Sequence, residues 1–135
     1  MGVEPFLSAS AVDCVIAQRL ARKLCETCKR PATMDEVALR NLGFPLGSFD
    51  SCAEMSFSEA VGCEGCGGTG YRGRIGIFEM MEVGEEIKSL IIARASSDDI
   101  GRAAERGGML RLKDDGISKA ASGITSIEEI LRTVV

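Results

Sequence analysis

The chain contains two Cys-x-x-Cys pairs, Cys25-Glu-Thr-Cys28 and Cys63-Glu-Gly-Cys66. Four thiolates suit the tetrahedral coordination of Zn²⁺, and two intervening residues let both sulfurs of a pair reach the same ion. Positions 29–62, 34 residues, separate the pairs, whereas an ordinary zinc ribbon has roughly 15–20. The spacing therefore predicts a zinc site formed by Cys25, Cys28, Cys63 and Cys66, with a small folded insert between the pairs.

Two disulfides or unrelated buried thiols are the alternatives to a metal. The N-terminus lacks the pattern of a signal peptide, because Glu4 and Pro5 interrupt it. Cysteines without a secretory signal favour reduced thiols and metal binding over disulfides. Four sulfur ligands leave no open position for an activated water, so the predicted zinc is structural. Cys14 and Cys52 have no partner at ligand spacing and are interpreted as small, buried apolar residues.

Composition excludes several function classes. The 135 residues are enough for one domain, or one domain with a small subdomain. The net charge of −4 argues against a nucleic-acid module, whose surface is usually basic. No histidine is present, which removes the commonest general base. No stretch approaches the roughly 20 apolar residues of a transmembrane helix. A cytoplasmic location is expected.

A glycine-rich stretch follows the second Cys pair, with seven glycines between positions 62 and 76. A Walker phosphate loop requires Gly-Lys-Ser/Thr, which occurs nowhere in the chain, and no Rossmann fingerprint follows a strand. We expect the glycines to wrap the backbone around the second Cys pair. No catalytic and no cofactor-binding residue is assigned.

The predicted elements mix strands and helices. Residues 75–83 form the clearest strand candidate, whereas 16–24 fit a helix and a strand equally well by period. If 16–24 is a strand, antiparallel pairing with 75–83 brings both Cys pairs to one end of a ribbon. Helices are predicted over five further stretches by their apolar spacing, caps and stop signals. They are 5–15, 35–42, 86–94, 98–106 and 110–121.

A last helix is predicted from the capping-box pattern Thr125-Ser-Ile-Glu128 and runs to Val134. Gly43 to Ser51 is expected to be irregular. The predicted fold class is α+β: an antiparallel β-ribbon with an inserted tetracysteine zinc subdomain, followed by a C-terminal helical bundle. Met80 and Met81 are interpreted as core and strand residues.

Basic residues concentrate around the predicted ribbon, and they have two interpretations: a solvated face, or a surface for an anionic partner or neighbouring subunit. The residues are Arg19, Arg22, Lys23, Lys29, Arg30, Arg72 and Arg74.

Three segments follow one another along the chain: Met1-Gly-Val-Glu-Pro-Phe-Leu7, Ala17 to Cys28, and Cys63 to Glu79 with its Gly-Thr-Gly-Tyr-Arg-Gly-Arg-Ile core. Together they resemble the C-terminal part of the secretion ATPases of type II secretion and type IV pilus assembly. The tail around Asp115-Gly116 and Gly123 to Arg132 also resembles the closing helices of that family. The resemblance implies that 16–24 is a strand, and that the four paired cysteines correspond to the tetracysteine zinc motif of the family.

The resemblance also implies a longer parent protein with its Walker motifs upstream, so that Met1 would be an internal methionine. The expected parent is a cytoplasmic hexameric ATPase docked on an inner-membrane platform protein. ATP and Mg²⁺ would bind only in the parent, and the present chain is expected to be non-catalytic. Its expected segments are 1–24, helix and first ribbon strand at the end of the ATPase core; 25–73, zinc-binding insert; 74–83, second strand; and 84–135, helical subdomain.

Two other functions remain alternatives. One is a stand-alone zinc-ribbon module that binds nucleic acid or a protein; the acidic charge and the few aromatic residues count against nucleic acid. The other is a thiol oxidoreductase, but a redox Cys-x-x-Cys normally opens a helix in a βαβ fold, and that context is missing.

Overall fold

A computed structural model describes residues 2–33 and 56–134 of the chain. The helix predicted over 35–42, the irregular segment Gly43 to Ser51 and Cys52 lie outside the described residues. The described part is α+β, with a β-ribbon, an inserted cysteine cluster and helices after the ribbon.

The ribbon is a two-stranded sheet of β1 (Cys14–Leu24) and β4 (Tyr71–Glu82). The Cys25 N–H donates to Gly70 O at one end, and the Val83 N–H donates to Asp13 O at the other, so the strands are antiparallel. β4 begins four residues before the predicted strand and ends one residue earlier.

Pairing with β4 makes the segment 16–24 a strand. In a helix, Ile16, Leu20 and Leu24 would share one face, but Ile16 and Leu20 are both more than half exposed, whereas Leu24 is buried. Ala21, which would lie off that face, is fully buried. Burial therefore does not follow a helical face, and the pairing confirms the strand implied by the family resemblance.

The chain divides into two compact units. The first comprises Met1–Gln18 and Phe78–Arg111, with α1 (Pro5–Ala11), α2 (Glu85–Ile92) and α3 (Ser97–Arg106). Helix α2 packs against both α1 and α3. The buried core of this unit is aliphatic and consists of Val83, Ile87, Ala103 and Ala104.

The second unit comprises Arg19–Ile77 and Leu112–Val135, with α4 (Leu112–Ala121) packed against α5 (Ile127–Val134). Its core joins one ribbon face to both helices. The buried members are Ala21, Phe57, Ile77, Ile117, Ala120, Ala121 and Ile130. Two of the four helices after the ribbon thus belong to each unit. The predicted division into the segments 1–24, 25–73, 74–83 and 84–135 stays a prediction.

The helix ends follow local chemistry, and those that differ from the predicted bounds differ by one to four residues. The Ser96 hydroxyl accepts the Asp99 N–H at 3.1 Å and caps α3. Helix α1 ends at Ala11 rather than residue 15, because β1 begins at Cys14. Helix α4 begins at Leu112, two residues later than predicted.

The predicted capping box of the last helix is wrong by one residue. Ser126, not Thr125, precedes the first helical residue, and its hydroxyl accepts the Glu129 N–H at 3.2 Å. The Thr125 hydroxyl instead donates to Arg22 O at 2.8 Å. Thr125 is used for a contact to the ribbon, a role that local pattern does not reveal.

Replacing Ile77 by alanine should lower the free energy of unfolding by about 2–5 kcal/mol, because Ile77 is fully buried at the ribbon face of its core. Met80→Ala on the same strand is the control, since Met80 is 61% exposed and should cost less than about 0.5 kcal/mol. Urea unfolding of both variants measures the difference, and equal costs would contradict the assigned strand orientation.

Candidate metal centre

Each Cys pair lies in a tight turn in which the carbonyl of the first cysteine accepts two backbone N–H groups. In the first turn, the N–H groups of Cys28 and Lys29 donate to Cys25 O, at 3.2 and 2.9 Å. In the second, which includes the short 3₁₀ helix Glu64–Cys66, the N–H groups of Cys66 and Gly68 donate to Cys63 O at 3.2 and 2.9 Å. The turns differ by one residue in the position of the second donor.

The ribbon brings the turns together. Cys25 directly follows β1, and the second pair leads through Gly70 into β4, where Cys25 N–H donates to Gly70 O at 2.9 Å. The insert is closed at its base by β2 (Arg30–Pro31) paired antiparallel with β3 (Ser58–Glu59). Both Cys pairs therefore lie at one end of the ribbon, as the sequence predicts.

The four sulfurs form a compact cluster. The Sγ–Sγ distances are 3.9 Å for Cys25–Cys63, 3.9 Å for Cys28–Cys66 and 3.7 Å for Cys63–Cys66. All four Sγ atoms lie within 4.8 Å of one another. A tetrahedron with Zn–S bonds of about 2.3 Å has edges of about 3.8 Å, whereas a disulfide requires about 2.05 Å. The cluster could hold one metal ion, and its cysteines are free thiols.

The pKa values within the cluster indicate that a cation would favour the ionised form of all four cysteines. The backbone N–H of Cys63 lowers the pKa of Cys66 to about 6, against the effect of burial and with help from the N–H of Gly70. Burial raises the pKa of Cys28 to about 12, and the other three sulfurs add to the rise. Four adjacent thiols therefore do not all ionise at neutral pH by themselves, and a divalent ion would supply the compensating charge.

Gly70 is required by both conformation and space. Its φ is 74°, and a Cβ there would lie 2.7 Å from Ala60 Cβ and 3.0 Å from the Ala60 backbone. Its N–H donates to Cys66 Sγ at 3.2 Å. Gly62 is equally confined, because a Cβ would lie 2.4 Å from Gly68 O. At these two positions the glycines wrap the second pair, as the sequence predicts.

A segment far along the chain completes the surroundings of the cluster. We call residues 123–129 the C-terminal segment. Its Ile124 O accepts the Leu24 N–H at 2.9 Å, and Thr125 binds the Arg22 carbonyl. Glu129 Oε1 accepts the Arg22 N–H at 3.0 Å. The segment therefore satisfies the outer edge of β1 just before the first Cys pair.

Glu129 is the most deeply buried charge of this segment, with a side chain of 0% exposure. It accepts hydrogen bonds from the guanidinium groups of Arg22 and Arg132, the shortest at 2.6 Å. Burial would raise the pKa of Glu129, but donation from Arg132, then from Arg22, lowers it to about 2. Sequence reasoning missed this residue, because Glu128 and Glu129 are indistinguishable by composition and only packing selects one.

One of the predicted basic surface residues, Arg22, therefore has an internal partner, the buried carboxylate of Glu129. Its guanidinium also lies 4.1 Å from the centroid of the Tyr71 ring. Lys29 bonds Glu26 at 2.8 Å and Gly123 O at 3.0 Å. Five other ribbon cations make no ion pair with any residue in 2–33 or 56–134, so both interpretations of that surface stay open. They are Arg19, Lys23, Arg30, Arg72 and Arg74.

Two further sequence interpretations need correction. Cys14 was expected to be buried, but it is exposed, because β1 begins there and does not turn that position toward a core. Met80 is also exposed, whereas Met81 packs against the core of the first unit, so only Met81 is a core residue.

Comparison with known proteins decides the family. The profile of the family described as type II/IV secretion system protein matches residues 1–132. The chain belongs to this family. It is 42% identical to the type IV pilus assembly ATPase PilB of Thermus thermophilus, over all of this chain and 15% of that protein. It is 40% identical to the type II secretion system protein E of Pseudomonas aeruginosa, over 98% of this chain and 25% of that protein.

The relation extends to PilB of Myxococcus xanthus, with 41% identity over 97% of this chain and 23% of that relative. The chain thus spans a quarter or less of the length of these relatives. Within residues 2–33 and 56–134, no helix has the length and apolar character needed to cross a membrane.

Gly70→Ala should weaken metal binding by at least about 10-fold. The added methyl group would clash with Ala60 and shift the backbone N–H of residue 70, which donates a hydrogen bond to Cys66 Sγ. Gly65→Ala is the matched control in the same turn: its added Cβ would meet only Cys63 Sγ, at an ordinary 3.7 Å. Competition with a zinc chelator measures both affinities. Equal affinities would show that the turn tolerates a side chain at position 70.

Acid should remove the stabilisation that Glu129 provides. Its pKa in the folded protein is about 2, below the ordinary value of 4.5. The contribution is therefore present above about pH 4.5 and is lost as the pH falls toward 2, for a total of about 3 kcal/mol.

The difference in unfolding free energy between wild type and Glu129→Gln should shrink over that pH range. Both proteins are measured with a chelator present, because acid also protonates the cysteines. A difference that stays constant between pH 6 and about pH 2 would contradict the depressed pKa.

Proposed function

We propose that the chain is the C-terminal, non-catalytic part of an ATPase that powers type II protein secretion or type IV pilus assembly. Family membership over residues 1–132 supports the assignment, and the relatives named as pilus assembly ATPases are several times longer. The proposed parent is a cytoplasmic hexamer, peripheral to the inner membrane through its partners. Those partners are its neighbouring subunits and a platform protein. ATP and Mg²⁺ would bind outside this chain.

Within that part, we propose that Cys25, Cys28, Cys63 and Cys66 bind one structural Zn²⁺. The observation that carries this proposal is the sulfur cluster, in which three Sγ–Sγ distances of 3.7–3.9 Å agree with the edges of a tetrahedral zinc–thiolate site and all four sulfurs lie within 4.8 Å of one another. Four protein ligands would fill the coordination shell, so the ion would not activate water. Its role would be to close the insert at the end of the ribbon.

Zinc binding would offset the free-energy cost of ordering the Cys turns and the insert. Structural zinc sites supply on the order of 10–16 kcal/mol of apparent binding free energy in zinc-finger peptides. Besides the cysteine turns, the base of the insert is held by the two-residue pairing of β2 with β3 and by hydrogen bonds from Ala32 N–H to Phe57 O and from Ser56 N–H to Ala121 O. A bound ion would add to these contacts by fixing the two Cys turns relative to each other.

Metal analysis of the purified 135-residue chain tests the site. We expect one zinc per chain in wild type and in Cys14→Ser, and loss of zinc in Cys28→Ser, because Cys14 lies outside the cluster. Anomalous scattering at the zinc edge would identify the element. Wild-type protein that takes up no zinc when supplied with it would overturn the zinc proposal.

An activity assay tests the non-catalytic role separately. The zinc-loaded chain should release no phosphate from ATP above a mock preparation. Turnover that copurifies with the chain would contradict the proposal that catalysis resides elsewhere in the parent.

A further inference from the structure

The C-terminal segment contacts residues that flank the first Cys pair on both sides. Ile124 O accepts the N–H of Leu24, the residue before Cys25. Gly123 O accepts Lys29 Nζ at 3.0 Å, and Lys29 is the residue after Cys28. The Cys25–Cys28 turn therefore lies between two hydrogen bonds to consecutive carbonyls of one segment.

The segment also reaches the second Cys pair through Tyr71. The Tyr71 hydroxyl lies 2.7 Å from Ser126 Oγ. Tyr71 follows Gly70, whose N–H donates to Cys66 Sγ and whose carbonyl accepts the Cys25 N–H. A shift of either turn would therefore move a bonding partner of the C-terminal segment.

Glu129 fixes this segment to the strand that leads into the cluster. It accepts the backbone N–H of Arg22 and two guanidinium N–H groups of the same residue. Lost donors would leave a carboxylate buried without compensation, which a protein interior strongly disfavours. The segment is therefore held in one position relative to the residues that precede Cys25.

We infer that metal binding at the four cysteines and docking of the C-terminal segment, with helix α5, are thermodynamically coupled. The inference rests on the proposed zinc site. Lys29 and Glu129 are positioning residues: they touch no ligand sulfur in the contacts above, and they act by holding the flanks of the Cys turns. Coupling is reciprocal, so metal stabilises the docked helix by the same factor by which docking strengthens metal binding.

The first test measures zinc release from the loaded chain to a chromogenic chelator. Lys29→Met keeps most of the aliphatic stem but removes the bond to Gly123 O, and release should accelerate about 10-fold, as for other residues that orient metal ligands. Lys23→Met is the matched control, because Lys23 is also half-buried and makes no such bond. Glu26→Gln separates the effect of the Lys29–Glu26 ion pair.

The second test substitutes residues of the C-terminal segment instead of residues beside the Cys turn. Glu129→Gln should accelerate zinc release about 10- to 100-fold, whereas Glu128→Gln, on the exposed neighbour, should leave it within about 2-fold. Ile117→Val weakens the same core without touching either Cys turn, so it controls for stability. Release accelerated equally by Ile117→Val and Glu129→Gln would overturn the coupling, since general destabilisation would then explain both.

Amide exchange supplies a readout independent of affinity. Removing zinc from wild type should raise exchange of the Ile130 amide, which bonds Ser126 O, and of the rest of α5 by at least about 10-fold. Unchanged exchange in α5 would overturn the inference.

The tests also distinguish failure of the coupling from failure of the zinc proposal on which it rests. If wild type binds no zinc, the zinc proposal fails and the coupling fails with it. If wild type binds zinc and all variants release it at the same rate, only the coupling fails.

Discussion

The antiparallel pairing of β1 with β4 is the constraint on which the rest of the structure depends. It joins Cys25 to Gly70 by a backbone hydrogen bond and so brings two Cys turns, more than thirty residues apart in sequence, to the same place. The same strands place Ala21 and Ile77 in one core, and β4 leads directly into Val83, which is buried in another. Without this pairing, the four sulfurs would have no common geometry before an ion arrives.

Burying Glu129 beside this ribbon is costly, and the structure offsets the cost with hydrogen bonds to ionised donors. Arg22 and Arg132 flank the carboxylate, and the backbone of β1 supplies one further N–H. Such an arrangement contributes specificity of position, because a shift of α5 would take Glu129 away from the backbone N–H and guanidinium of Arg22. The last helix is therefore oriented by electrostatics as well as by the apolar contacts of Ile130.

Much of the candidate site was predictable, because its chemistry depends on local spacing. Two residues between cysteines determine a turn, and the glycines after Cys66 provide the conformations that the turn requires. The helix cap at Ser96 is equally local. The contacts of Thr125 and Glu129 were not predictable, because their partner Arg22 lies about a hundred residues away and neighbouring residues have the same chemistry.

By itself, the sequence determined the four-cysteine donor set, the α+β character and the family resemblance, since these depend on residue type and short spacing. Periodicity left 16–24 open, and the tertiary structure confirmed the strand that the family resemblance implied. Only the tertiary structure decided that Cys14 is exposed and that Glu129 rather than Glu128 is buried. The physical reason is that burial is a property of the partners a residue meets. For β1 those partners are β4 and the C-terminal segment, which the chain brings together only on folding.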